Sequence, residues 1–301
     1  MPTKVNEVAC FAPAETPRGA AAPNSDRTDS PCDRTDGPLA NLRRKISSRL
    51  ARHIALERRR LVDAKPMVSF TFDDAAVSAG LAGAERLERM GARGTYYIAS
   101  GLIGRSDYGY ALMGRESVRD LHLRGHEIGL HGHAHLAAGA FSAQEFRDDL
   151  QRNRDWLESI DEGIRPANFA YPYGIASFAR KRQLYGLVAS SRSVAPGVMA
   201  GDFDPQYLRC VELADRRLTP ERLAAYLDAT VQSGGWLIFC CHDIADAPTS
   251  YGCTTGLFQR ALDGAVSRGV EIVTVAAGLA RSRPVGKPAL SANEARGSKL
   301  S

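Results

Sequence analysis

The sequence predicts an α/β fold built on a parallel sheet. Two observations carry this. Between residues 65 and 280, short apolar or β-branched segments alternate with longer segments of helical character. The connections between them are short, as repeated βα units require, and seven or eight such units can close into a barrel.

Taken in order, residues 1–38 are rich in Ala, Pro, Asp, Ser and Thr with few large apolar residues, and are expected to be disordered. Over residues 39–64 the pattern changes. Leu42, Ile46, Leu50 and Ile54 recur every fourth position, with Leu61 further on, giving one apolar stripe of an amphipathic helix. Arg43, Arg44, Lys45, Arg49, Arg52, Arg58, Arg59 and Arg60 fill its other faces. Such a helix either meets a membrane surface or a nucleic acid, or packs on the main domain with a solvated basic face. Packing on the domain is the expectation, and no nucleic-acid partner is expected.

Strand candidates follow at 67–72, 93–99, 126–131, 167–171, 187–191, 207–211, 236–241 and 270–275. Ser78 to Met90 reads as one helix with Gly91 past its end. Ser142 and Glu145 form a capping box for a helix through Trp156. Thr219, Pro220 and Glu221 supply an N-cap, a first-turn proline and a first-turn acid for a helix to Val231. A catalytic domain is thus expected over 65–280, and a basic mobile tail over 281–301.

Of the 301 residues, 44% are hydrophobic and 24% charged, with a net charge of +5, an ordinary soluble composition. No apolar run is long enough to cross a bilayer, and residues 1–19 do not resemble a secretory signal. Cys10, Cys32, Cys210, Cys240, Cys241 and Cys253 show no CxxC spacing. Free thiols and a cytoplasmic setting are the expectation.

Chemistry concentrates at strand ends. The first core strand delivers two adjacent carboxylates, Asp73 and Asp74. Side chains diverge as a strand ends, so one can bind a cation while the other accepts a proton; an ordinary helix cap is the plain alternative. The third runs into His131-Gly132-His133-Ala134-His135, and imidazoles four apart are a metal-ligating spacing. Pro172 and Gly174 fix a turn after the fourth, whose backbone N–H groups can hold an oxyanion. A later buried strand delivers His242-Asp243, a candidate proton donor or acceptor. In a parallel barrel all these strand ends share one face.

With TFDDA at 71–75, GHEIGLHGHAH at 125–135, FAYPYG at 169–174 and CCHD at 240–243 in this order, the chain resembles the polysaccharide deacetylases, carbohydrate esterase family four. The resemblance spans about residues 65–280. Residues 236–253 further resemble the chitooligosaccharide deacetylases of the nodulation-factor type, which are cytoplasmic. It implies a distorted (β/α) barrel of about seven strands. It implies that Asp74, His131 and His135 hold a divalent metal, zinc first among them, and that Asp73 is the general base. The backbone N–H of Tyr173 would help hold the oxyanion, and His242 would protonate the leaving amine. The substrate would be an N-acetylated oligo- or polysaccharide.

Several positions depart from the family pattern. Gly132 replaces a Ser or Thr, which would loosen the support of the first metal histidine. His133 is extra and is expected to point away. Ala170 stands where many members carry an arginine that orients the base, and Cys240 stands where a leucine lines the acetyl pocket. The aspartate that tunes the catalytic histidine has only Asp202 and Asp204 as weak candidates. Arg209, at the end of a strand candidate, is the expected stand-in for the missing arginine, with a surface arginine as the alternative. Tyr108, Tyr110 and Tyr251 are candidate sugar-stacking platforms or loop packing. Alternatives in function are a deformylase or a deacetylase of another glycan, a binding-only relative, and a nucleic-acid binder using the basic helix.

Overall fold

A computed structural model describes residues 38–105 and 109–286. The expected N-terminal tail and Tyr108 lie outside these residues, as does the expected C-terminal tail from residue 287 on. The chain opens with helix α1 (Pro38–His53), then strands β1 (Arg59–Leu61), β2 (Met67–Asp73) and β3 (Thr95–Ile98), with α2 (Ala84–Arg89) between the last two. There follow α3 (Arg115–Leu123), β4 (Glu127–Leu130), α4 (Ala143–Glu158), β5 (Asn168–Ala170), α5 (Phe178–Leu184) and β6 (Ser190–Arg192). The chain completes with β7 (Asp202–Phe203), β8 (Val211–Glu212), α6 (Pro220–Ser233), β9 (Trp236–Cys241), α7 (Thr255–Val266), β10 (Glu271–Ile272), α8 (Val275–Ala280) and β11 (Ser282–Pro284).

Seven parallel strands in the order β6-β5-β4-β3-β2-β9-β8 curl into a distorted barrel, and β10 adds to the start of β2. Its two edges meet at Leu208, whose N–H donates to Ser191 O at 2.8 Å and whose carbonyl accepts from Ser193 N–H at 2.9 Å. β2 is the axis of the sheet. It is buried along its whole length between β9 and β3. Its side chains alternate, so Val68, Phe70 and Phe72 pack outward with Phe239, Tyr96 and Phe258 under the helices. Met67 packs with Trp236, Ile238, Cys240 and Leu208 in a second cluster, and Ser69, on the same side as Met67, accepts a hydrogen bond from Trp236 Nε1 at 3.0 Å. Asp73 falls on this inner side, at the end of the strand.

The capping signals in the sequence are realised. Ser142 Oγ accepts from Glu145 N–H while Glu145 Oε2 accepts from Ser142 N–H, closing the box on α4. Thr219 caps α6, which ends at Gly234 in the left-handed region, where a Cβ would lie 2.4 Å from Ala64 O. Other expectations are shortened. The helix read over Ser78–Met90 opens as a π-helical turn, Ala79–Gly83, before α2 begins. The last strand candidate keeps only Glu271–Ile272, because the Thr274 hydroxyl caps α8. The basic helix stops at His53, and Arg59–Leu61 become a strand instead. They pair with β7 and with β11, which carries the ordered chain past Ala280, and Arg59 Nη2 donates to Ser282 O at 2.7 Å. Among the described residues no helix is long and apolar enough to cross a membrane.

A buried lysine fixes the end of α1. Lys181 Nζ, on α5, donates to Ala51 O at 2.6 Å and Ile54 O at 2.7 Å, and lies 2.6 Å from Asp204 Oδ2. Asp204 Oδ2 also accepts from Leu56 N–H at 3.0 Å. Lys181→Met strands a buried carboxylate and the last carbonyls of α1. It is expected to lower stability by about 3 kcal/mol, read as a shifted urea midpoint; an unmoved midpoint would show the clamp to be dispensable.

Candidate metal centre

β2 ends on Asp73, and the next two residues turn sharply. Asp74 and Ala75 have φ of 62° and 65°. Strand alternation alone would send Asp74 to the helix side; the left-handed turn instead sets its carboxylate beside two imidazoles. Asp74 Oδ1 lies 3.2 Å from His131 Nε2 and 2.9 Å from His135 Nε2, and all three side chains are buried. Among the described residues four non-glycine positions have left-handed φ: Asp74, Ala75, His135 and Tyr173. All four belong to this site or its walls, which is where such strain collects when the surroundings enforce it.

α4 enforces much of it. Its buried Asn153 accepts His131 N–H at 3.0 Å and donates to Ile98 O at 3.0 Å. One turn earlier, Asp149 accepts the N–H groups of His133 at 2.9 Å and Ala134 at 2.7 Å. Gly132 is the residue that lets this happen. Its φ is 76°, and a Cβ there would lie 2.8 Å from Asp149 Oδ2. The glycine thus tightens the histidine loop onto α4, where its departure from the family pattern led us to expect loosening. His133 is outside the three-residue cluster, and its Nδ1 lies 3.0 Å from Ser100 Oγ.

The donor set fits a cation. His131 Nδ1 is 2.9 Å from Ala170 O, so it carries the proton and donates. Its Nε2 faces the buried Asp74 Oδ1 at 3.2 Å, a contact that calls for positive charge between the two atoms or on the ring. A divalent ion with mixed imidazole and carboxylate ligands satisfies it. Burial disfavours the Asp74 anion, but His135 and His131 outweigh that and hold its pKa well below the ordinary carboxylate value.

Asp73 has a separate environment. Arg192, buried at the end of β6, places Nη2 2.5 Å from both Asp73 oxygens. The Cys240 thiol donates to Asp73 Oδ2 at 3.3 Å. Burial again opposes the charge, and Arg192 overcomes it, so the Asp73 pKa is lowered. The guanidinium is held over the Tyr97 ring, 5.2 Å from its centroid, and Nη1 lies 3.2 Å from Cys210 Sγ. Arg209, the residue anticipated from sequence, is not the partner of Asp73. It follows Leu208, which faces the inner cluster, and its guanidinium packs against Gly197. Arg192 instead sits opposite Ala170 in the β5–β6 register. The missing arginine is thus replaced from the neighbouring strand.

Tyr173 stands in the Pro172–Gly174 turn with φ of 58°; its hydroxyl donates to His135 O at 3.2 Å and its ring lies 4.8 Å from the His135 ring. His242 follows β9, and its charge acts on Asp73. The Tyr251 ring lies 5.7 Å from the His242 ring, and Tyr110 OH donates to Asp74 Oδ2 at 3.4 Å. Asp202 and Asp204 serve elsewhere, Asp202 with Arg60 and Asp204 with Lys181. Neither is the aspartate sought beside His242. The adjacent Asp243 accepts from Thr249 N–H and Oγ and so folds the loop that follows.

Residues 61–184 match the sequence model of the polysaccharide deacetylase family. The match contains Asp73, Asp74, His131, His135 and Tyr173, and stops before Arg192 and His242. The fold is similar to a putative polysaccharide deacetylase from Mycobacterium smegmatis, with a TM-score of 0.55 and 18% identity over 76% of this chain and 96% of that one. It is also similar to the Xyl-CE4 domain of a multidomain xylanase from the hindgut metagenome of Trinervitermes trinervoides, with a TM-score of 0.51 and 14% identity over 72% and 91%. A mutant CE4 family pseudoenzyme with restored enzymatic activity gives a TM-score of 0.51 and 16% identity over 71% and 68%. No curated protein matches the chain in sequence. Fold and site define a (β/α)-barrel protein with a carboxylate–imidazole cluster at its C-terminal strand ends. The family match relates residues 61–184 to the polysaccharide deacetylases, and the structural likenesses show the fold.

The Arg192 contact yields a direct test. Arg192→Met should lower stability by about 3 kcal/mol, as for removing one partner of a buried ion pair, read as a shifted urea midpoint. Arg192→Lys should recover part of it, because a single nitrogen makes both contacts. Arg209→Met should behave as the parent. Equal losses at Arg209 and Arg192 would remove the distinction.

Proposed function

We propose that this protein is a metal-dependent hydrolase that removes N-acetyl groups from glucosaminyl units of an oligo- or polysaccharide. The observation that carries the proposal is the pair of adjacent carboxylates with separate partners: Asp74 facing His131 and His135, and Asp73 held by Arg192. Metal-assisted amide hydrolysis at this site would use one carboxylate as ligand and the other as base, and two buried aspartates side by side do both only if each has its own counter-charge.

Asp74, His131 and His135 would hold the ion, with zinc first among the candidates for this donor set. When bound, such an ion polarises the acetamide carbonyl and makes water a stronger acid. Asp73 takes the proton from the attacking water, and Arg192 keeps its carboxylate ionised and aimed. The N–H of Tyr173 donates to the carbonyl oxygen as charge develops on it. His242 gives a proton to the amine nitrogen as the C–N bond breaks, leaving acetate and a free amine. Tyr251, beside His242, and Tyr110, beside Asp74, would be the side chains to stack on a sugar ring.

Within this class we favour a short N-acetylglucosamine oligomer as substrate, because residues 236–253 resemble the nodulation-factor type of chitooligosaccharide deacetylase. An acetate-release screen on defined chitin oligomers and peptidoglycan fragments, with and without a chelator, tests it. Chelator-sensitive release from the oligomers is expected. Release from another glycan alone would move the substrate, and no release from any would favour a binding-only protein.

Four variants separate the roles. Asp74→Ala and His135→Ala should lose metal and turnover together, while His133→Ala keeps both; metal content of the purified proteins decides this. Asp73→Asn should keep the metal and lower kcat about a hundredfold or more, as for loss of a general base. Normal turnover in a metal-loaded Asp73→Asn protein would exclude the assignment of base.

A further inference from the structure

An amphipathic helix on a globular domain ordinarily buries its apolar stripe. α1 does the reverse. The side facing the domain is small and polar: Ala51 is fully buried, and Ser47 Oγ accepts Phe178 N–H at 3.0 Å and lies 3.2 Å from Ser177 Oγ. The apolar stripe points outward, with Leu42 53% exposed, Ile46 50%, Leu50 40% and Ile54 42%. Single exposed apolar residues are normal on any surface, but three in register on α1, with Ile54 just past its end, are a patch.

The orientation is built in. Lys181 and Asp204, both buried or nearly so, tie the last carbonyls of α1 and the N–H of Leu56 to α5 and to the loop before β8. The helix cannot roll to bury the stripe without breaking this clamp. The charge pattern then identifies what the face meets. Pro38–His53 contains no Asp or Glu, while Arg43, Lys45, Arg49 and Arg52 are exposed around the stripe. A second copy of the same face would bring cation against cation. A nucleic acid would use the charges and leave the leucines and isoleucines in water. A bilayer with anionic headgroups satisfies both, taking the apolar side chains to the acyl boundary while the long basic stems reach the phosphates.

We infer that α1 is a membrane-surface docking helix that seats the barrel on anionic lipid. The inference concerns a face away from the metal centre and stands whether or not the chain is a deacetylase.

The test is co-sedimentation of the full chain with vesicles of phosphatidylcholine containing about 30% phosphatidylglycerol, against pure phosphatidylcholine. Binding to the anionic vesicles is expected to be about tenfold stronger and to weaken in high salt. The double variant Ile46→Gln/Leu50→Gln should lose about tenfold in binding while keeping its circular dichroism spectrum and urea midpoint. Arg43→Gln/Arg49→Gln should flatten the salt dependence. Failure to bind anionic vesicles, or equal binding by the Ile46→Gln/Leu50→Gln protein, would overturn the inference. So would a dimer in solution that the same double variant dissolves, which would give the stripe to a second copy.

Discussion

Two carboxylates on consecutive residues cannot both stay ionised in a buried site unless each has its own positive partner. The architecture of the C-terminal face follows from that constraint. Asp73 keeps the strand geometry of β2 and points into the barrel, where Arg192 meets it. Asp74 leaves the strand through a left-handed turn and meets His131 and His135 from the next strand but one. The chain separates the two charges by geometry, since one position along the backbone gives them little distance. Positive charge at the His131 and His135 imidazoles, which could also hold a cation, completes the balance on that side, as Arg192 does on the other.

The cost of that separation is visible in the backbone. Left-handed conformations at non-glycine residues cost roughly 1–3 kcal/mol each, and Asp74, Ala75, His135 and Tyr173 all adopt one. They persist because their neighbours leave no alternative. Asn153 and Asp149 hold the histidine loop by its N–H groups, Gly132 makes room for that contact, and Tyr173 packs on His135. These supports come from α4 and from a turn, and none is a candidate ligand. The site is therefore held from outside, by groups whose removal would relax the loop without deleting any ligating atom.

Much of this was legible in the sequence, and the limits were physical. The strand order of chemistry was readable because each motif ends an apolar run, and parallel strands bring such ends to one face. The capping box at Ser142 and the N-cap at Thr219 were readable because their signals are local. The Asp74–His131–His135 cluster was legible through the family resemblance, to which the spacing of four and the strand end at His131 and His135 contributed. Arg192 was missed because its contact spans 119 positions and the strand candidate at 187–191 stops one residue short of it. The signal present was an arginine closing a strand beside Ala170. Asp149 and Asn153 were missed because on a surface-type helix they resemble ordinary solvated residues. The stop of the basic helix at His53 depended on Lys181, Asp204 and β11, none of them local to it.

The exchange of Ala170 for Arg192 has a general consequence for reading such sites. In a parallel sheet the end of one strand and its register partner on the next stand side by side, because neighbouring strands lie only about 4.8 Å apart. A long side chain such as arginine spans more than that distance. A guanidinium can therefore reach the same carboxylate from either strand, so the base fixes where the positive charge must be, and two backbone positions can supply it. Absence of the residue at one position is then weak evidence that the function is lost. In this chain the neighbouring position is filled, the arginine is fully buried, and it is stacked on Tyr97 and bonded to Asp73. A solvated surface arginine has no such confinement. The buried one is retained at a large desolvation cost, and only a charge of opposite sign at Asp73 offsets that cost.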